Sequence, residues 1–284
     1  MSDLPLPRAV DKHKPGRPRV PNVYGVFYAV PSVCFWFVLA FLGVQERYAL
    51  SLASSVLFGS TMGLFDDIAN LRWRTKAILP LFAALPYIVL GPAGRTTVST
   101  ILTGSLDLGF LFLILLVPAM VTIVTNSYNQ LGGLNGLESG TGLIILVGMT
   151  ILSGDWILMS LPLVLLVVLT YLSFTGKAFL GNIGSFSIGL TLVVLSILDN
   201  LKLMLLISFI PFIANSILIL FSNYFLHDRA KTFMDNEGRL YATRIRSLRT
   251  LLLTHKRMTE HQVVMAIYLL VAFSVLVAML ITVM

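Results

Sequence analysis

Two adjacent acids, Asp66 and Asp67, end an apolar run and lead straight into Arg72, Arg74 and Lys76 in the stretch GLFDDIANLRWRTK at 63–76. A helix carries partial negative charge at its carboxyl end, so two carboxylates there repel the dipole and each other. They need a counter-ion, either the basic cluster or a bound divalent cation. The plain alternative is a helix end at a membrane surface, neutralised by its own loop. Ionisable residues at membrane depth nevertheless point towards function by default.

Three further stretches carry groups able to do chemistry. Asn126 and Asn129 are three apart and share a helix face. Gly132 and Gly133 then let the chain bend before Asn135 and Glu138. Amide oxygens can ligate a hard cation and amides can pair with a nucleobase, while a helix cap with a Gly-rich turn is the competing reading. The segment GNIGSFSIG at 181–189 offers either close helix approach or a glycine-rich phosphate site at a helix start. Finally, 222–260 holds His227, Asp228, Arg229 and Lys231, then Arg244, Arg246 and Arg249. Guanidinium forks suit phosphate; for Arg244 to Arg249 a basic segment resting on anionic lipid is the preferred reading.

The elements that position these groups are membrane spans. A mean hydropathy of +0.89, with 57% hydrophobic and 12% charged residues, excludes a soluble globular domain. Apolar runs occur at about 23–43, 49–67, 77–91, 108–127, 139–153, 156–174, 182–198, 201–221 and 262–284. The expectation is an all-α polytopic membrane helix bundle of about nine transmembrane helices, forming a single domain over 1–284. Its N-terminal segment, 1–22, and the 222–260 loop between the last two spans are read as cytoplasmic. Alternating sides places 17 of the 20 Lys and Arg on that face: five in 8–19, three in 72–76, Lys177 and eight in 229–257. The positive-inside rule then makes the N-terminus cytoplasmic and the C-terminus external. This partition also explains the net charge of +7 without invoking nucleic acid. The single cysteine, Cys34, lies in an apolar run and forms no disulfide framework. No secretory signal pattern opens the chain.

Together, DKHKPGRPRVPNVYG (11–25), GLFDDIANLRWRTKAILP (63–80), NSYNQLGGLNGLESG (126–140), GNIGSFSIG (181–189) and the loop from His227 to Leu240 resemble the polyprenyl-phosphate N-acetylhexosamine-1-phosphate transferases over almost the whole chain. The Asp-Asp and NGLE blocks look more like the archaeal and eukaryotic dolichyl-phosphate GlcNAc-1-phosphotransferase branch than the bacterial muramoyl branch. The resemblance implies transfer of a sugar 1-phosphate, GlcNAc-1-phosphate favoured, from a UDP-sugar donor to a polyprenyl phosphate acceptor. UMP is released, Mg²⁺ is the cofactor with Mn²⁺ as an alternative, and the site lies on the cytoplasmic face of the cell membrane. Matching positions imply catalytic Asp66 and Asp67 and metal ligation by Asp67, Asn126 and Asn182. They also imply phosphate binding by Lys76, His227, Arg229 and Lys231, and nucleotide binding by Lys14, Gly132, Gly133, Asn135 and Glu138. A homodimer is compatible with family behaviour.

Three departures stand out. Asn182 replaces the usual ligand Asp, leaving Glu138 or Asp228 to supply the missing charge. The span that normally precedes DKHKP is not in this chain. The basic loop reads HDRAK rather than RHR. The alternative is a catalytically impaired paralogue that binds UDP-sugar or lipid phosphate. A transporter would call for midplane charges or broken helices and perhaps an inverted repeat, and the sequence shows neither charges there nor a repeat.

Overall fold

The computed structural model describes residues 8–11, 14, 16, 18–100, 104–228 and 231–283. Each of the nine apolar runs forms a helix or a pair of helices: α1 (Val26–Phe41), α2 (Glu46–Ala69), α3 and α4 (Trp73–Ala83 and Leu85–Leu90), α5 (Val117–Leu131), α6 (Leu137–Ser153), α7 (Trp156–Phe174), α8 (Gly181–Leu198), α9 and α10 (Lys202–Ser208 and Ile210–Tyr224) and, last in the chain, α12 (Glu260–Val283). A π-helical turn, Phe112–Leu116, leads into α5. The periods follow from burying a hydrogen-bonded backbone in lipid, where a helix satisfies every internal N–H and C=O.

Among the described residues, five helices are long and apolar enough to cross a membrane, six if α9 and α10 count as one bent span. Helices α1 and α6, at 16 and 17 residues, are shorter. The chain is a multi-pass membrane protein.

Among the described residues the all-α expectation holds apart from three antiparallel hairpins: β1 (Arg8–Val10) with β2 (Arg19–Pro21), β3 (Thr97–Thr100) with β4 (Gly104–Asp107), and β5 (Phe233–Met234) with β6 (Leu240–Tyr241). The 222–260 loop also contains α11 (Leu248–His255), whose start is closed by a reciprocal Ser247–Thr250 capping box.

Helix α8 is the axis of the bundle and almost wholly buried, whereas α12 at the periphery is mostly not. It packs against α1, α2, α5 and α6. Lipid tails are as apolar as leucine, so such contacts depend on close backbone approach rather than on hydrophobic exclusion. Gly63 supplies it: a Cβ there would lie 2.5 Å from the Asn182 carbonyl oxygen and 2.7 Å from the Ile183 Cα. This seats the carboxyl end of α2 on the amino end of α8.

The span read as continuous over 201–221 is broken. Helices α9 and α10 meet at Phe209 with a 54° bend. Pro211, in the first turn of α10, has no N–H to continue the helical ladder from α9. The bend was not foreseen from the sequence.

At the end of the bundle away from Asp66, the connections tie to one another. Gln45 donates to Asp155 at 2.9 Å, Tyr48 to the Leu198 carbonyl at 3.2 Å, and Lys202 to Asn200 at 2.7 Å, while Arg95 donates to the Tyr48 hydroxyl. Burial, with the Asp155 carboxylate beside it, pushes the Asp199 carboxyl up to about 8.

Candidate active site

The carboxyl end of α2 delivers its two acids to different partners. Asp66 is 3% exposed; its Oδ1 accepts the Leu71 N–H at 3.0 Å and the Lys76 ammonium at 2.8 Å. Asn70, in the left-handed region at φ 46°, turns the chain so that the first turn of α3 brings Lys76 back over Asp66. The other oxygen, Oδ2, is buried without a hydrogen-bond partner among the described residues. Of the three basic residues considered as counter-ions, Lys76 makes this ion pair.

Asp67 is satisfied by backbone instead. Its Oδ1 accepts the Asn182 N–H at 2.8 Å and its Oδ2 the Ile183 N–H at 2.9 Å. The carboxylate therefore caps α8 from outside the helix, pairing orphan donors where the dipole is positive. This resolves the repulsion expected between neighbouring acids, since each has its own positive partner. The close seat of Gly63 makes it geometrically possible.

Around this pair the amides converge. The Asn129 side-chain nitrogen donates to Asn182 Oδ1 at 2.7 Å. The Asn126 nitrogen donates to the Ala77 carbonyl at 3.3 Å, and both asparagines of α5 line a cavity of about 1050 Å³ with Lys76. The opposite wall comes from the bent α10, with Ile213, Ile217 and Leu220, and His227 stands at the same cavity. The groove thus combines the Lys76 ammonium and several amide and hydroxyl groups with an aliphatic surface from Ile123, Ile213, Ile217, Ile219 and Leu220.

Glu138 lies on this side as well. Its Oε1 accepts the Ser185 hydroxyl at 2.6 Å, and its charge is within electrostatic reach of Asp67. Gly132 is needed for this packing, because a Cβ there would meet Glu138 Oε1 at 2.1 Å. The other carboxylate weighed as a substitute for charge at position 182, Asp228, is occupied by Arg244 at 3.0 Å and Arg246 at 3.4 Å. The Arg244 hydrogen bond holds the Asp228 carboxyl below its ordinary range.

A second cluster surrounds Asn135, which is completely buried. Its backbone and side-chain N–H groups donate to Glu260, and its side chain also donates to Asp11. The Lys14 ammonium is 3.6 Å from Asp11 and lies against Gly176. Gly133 adopts φ 98°, a turn that glycine makes without strain. Lys231 is exposed, and Arg229 lies outside the described residues.

Sequence reasoning missed Asp11 and Glu260, and did not put Asn129 in the site. Asp11 is the one acid in an otherwise basic stretch, and Glu260 is an acid opening the last apolar run; both were visible as anomalies. That both meet Asn135 was not.

The donor set fits a hard divalent cation. It offers an orphaned carboxylate oxygen on Asp66, the Asp67 carboxylate and the amide oxygens of Asn126 and Asn182. Among the described residues there is no group of three His, Cys, Asp or Glu side chains, so any such site leans on amides.

The profile of glycosyl transferase family 4 matches residues 49–200. A Saccharolobus solfataricus protein, provisionally named UDP-N-acetylglucosamine–dolichyl-phosphate N-acetylglucosaminephosphotransferase, is 31% identical over 271 residues, covering 91% of this chain and 83% of its own length. The Dictyostelium discoideum enzyme of that name is 30% identical over 72% of this chain and 63% of its own. The phospho-N-acetylmuramoyl-pentapeptide-transferase of Dictyoglomus thermophilum is 29% identical over 59% of this chain and 58% of its own.

Proposed function

Because the chain belongs to glycosyl transferase family 4, we propose that it transfers N-acetylglucosamine 1-phosphate from UDP-N-acetylglucosamine to a polyprenyl phosphate of the dolichyl type. An acceptor phosphate oxygen attacks the sugar-bearing phosphorus of the donor, the bridging P–O bond of the pyrophosphate breaks, and UMP leaves. The product is a lipid-pyrophosphoryl sugar, the first intermediate of a lipid-linked glycan.

The observation that carries this reading is Lys76, ion-paired to Asp66, lining a groove whose wall includes Ile213, Ile217 and Leu220, with the neighbouring Asp67 seated on the start of α8. A lipid phosphate whose chain lies along Ile213, Ile217 and Leu220 would bring its head to Lys76, which holds negative oxygens. Asp66 sets the position of Lys76, and Asp67 orients the attacking phosphate. Asn135, Lys14 and the turn at Gly132–Gly133 receive the nucleotide, and His227, Arg229 and Lys231 steady the donor pyrophosphate. Phosphoryl transfer of this kind rests on alignment and charge neutralisation. Asp66, Asp67, Asn126 and Asn182 would hold Mg²⁺, which neutralises charge on the transferring oxygens when bound. Glu138, which accepts the Ser185 hydroxyl on the same helix as Asn182, is the carboxyl group placed to compensate for the amide at 182.

Nine crossings with a cytoplasmic N-terminus, an external C-terminus and a cytoplasmic site in the cell membrane complete the proposal. Its support is the nine helical segments and the segregation of basic residues; Arg47, Arg95 and Lys202 alone belong to the other end.

The test is UMP release by the detergent-solubilised chain from UDP-N-acetylglucosamine and a polyprenyl phosphate, with Mg²⁺ present and then chelated, for wild type and Asn182→Asp. Metal-dependent turnover in wild type is expected. Silence in wild type with activity in Asn182→Asp would establish the impaired-paralogue reading instead.

A further inference from the structure

The Asn135 side chain is held in one orientation. Its nitrogen donates to Asp11 Oδ2 at 2.9 Å and to the two Glu260 oxygens at 2.9 and 3.0 Å, and its backbone N–H donates to Glu260 Oε1 at 2.8 Å. Ionised carboxylates only accept, so two of them at one end of an amide leave a single arrangement, nitrogen towards the acids and oxygen away. That oxygen, Oδ1, is buried and has no hydrogen-bond partner among the described residues. An isolated asparagine could turn over and offer either a donor or an acceptor; this one offers an acceptor. Two cations stand beside the acids: Arg249 interacts with Glu260, and Lys14 is 3.6 Å from Asp11. Gly176 borders the cluster, and Lys14 occupies the space that a side chain at 176 would take.

We propose that Glu260 and Asp11 are positioning residues which, by locking the Asn135 amide with its oxygen presented, make the nucleotide subsite select uracil over cytosine. The N3–H of uracil would donate to Oδ1. Cytosine has a bare acceptor at N3, so two acceptors would face each other, and the buried oxygen would stay unpaired. Discrimination arises from the repulsive arrangement as much as from the favourable one. The inference rests on the transferase reading and names the residues that set the base preference of that site.

The experiment is equilibrium dialysis of the full-length chain in detergent micelles with UMP and, separately, CMP. It compares wild type, Glu260→Gln, Glu260→Asp and Asp11→Asn, alongside UMP release from UDP-N-acetylglucosamine. Wild type should prefer UMP. In Glu260→Gln the glutamine can donate, the Asn135 amide can turn over, and the UMP-to-CMP affinity ratio should fall about tenfold. Asp11→Asn should lower it about threefold, because the new amide can donate as well as accept at one of the three side-chain contacts. Glu260→Asp should recover part of the preference. A merely structural role would weaken both nucleotides together and leave the ratio alone.

If Glu260→Gln does not fold, Asp11→Asn carries the test, since it lies in the N-terminal segment outside the bundle helices. Equal binding of UMP and CMP by wild type, or a ratio unmoved in the folded variants of a wild type that turns over, overturns this inference alone. A wild type that binds neither nucleotide and releases no UMP overturns the transferase reading with it.

Discussion

Replacing Asp67 separates its structural work from its chemistry. Asp67→Ala removes the carboxylate that accepts the Asn182 and Ile183 N–H groups at 2.8 and 2.9 Å, at the start of the most buried helix of the bundle. A hydrogen bond to a charged group contributes about 1.5–3 kcal/mol, and loss of an N-terminal cap costs about 0.5–2 kcal/mol. The two bonds share one carboxylate and are not additive, so the expected destabilisation is about 2–4 kcal/mol. Asp67→Asn keeps one carbonyl oxygen for one of the N–H groups but turns an NH₂ towards the other. It should be destabilised by about half as much. If the charge of Asp67 orients the attacking phosphate, both variants lose turnover alike, by about 10²–10⁴-fold per folded molecule. The assay pairs UMP release with the folded fraction that survives graded heating, read by size-exclusion chromatography. An Asp67→Asn variant that keeps turnover within about fivefold of wild type would refute the catalytic assignment and leave Asp67 as a cap. An alanine variant with unchanged thermal stability would refute the cap.

Three further outcomes follow from other parts of the fold. Gly63→Ala places a methyl group 2.5 Å from one backbone atom of α8 and 2.7 Å from another, neither free to move alone. It should cost about 1–3 kcal/mol and lower turnover by shifting Asp67, measured by thermal unfolding and UMP release. Ile217→Trp narrows the apolar wall of the groove and should raise the KM for the lipid phosphate about tenfold, with the UDP-sugar KM unchanged in steady-state kinetics. Asp199 binds its proton up to about 8 when folded, against an ordinary value of 3.8, so between these values the folded chain holds a proton that the unfolded chain has lost. Stability should therefore fall as pH rises from about 4 to about 8 and level off above, and Asp199→Asn should remove that slope in melting curves.

The helices under the apolar runs were legible in the sequence because the signal is local. A run of apolar residues long enough to span lipid must satisfy its own backbone, and a helix does so with neighbours in the chain. The Asp66–Lys76 ion pair is similarly local, formed across one turn between consecutive helices. The resemblance carried by the polar motifs pointed to the family. Where those motifs meet was a tertiary matter. Asp67 caps a helix 115 residues later in the chain, and Asn135 is fixed by Glu260 and Asp11, 125 and 124 residues away. No pattern of spacing encodes such contacts, because they depend on how helices dock. Proline shows the same division: Pro31 and Pro162 sit inside continuous helices, whereas the chain breaks at Phe209 beside Pro211. All three lack the same N–H, and packing around the freed carbonyl decides whether the helix continues, so only the folded bundle could open the groove beside Lys76.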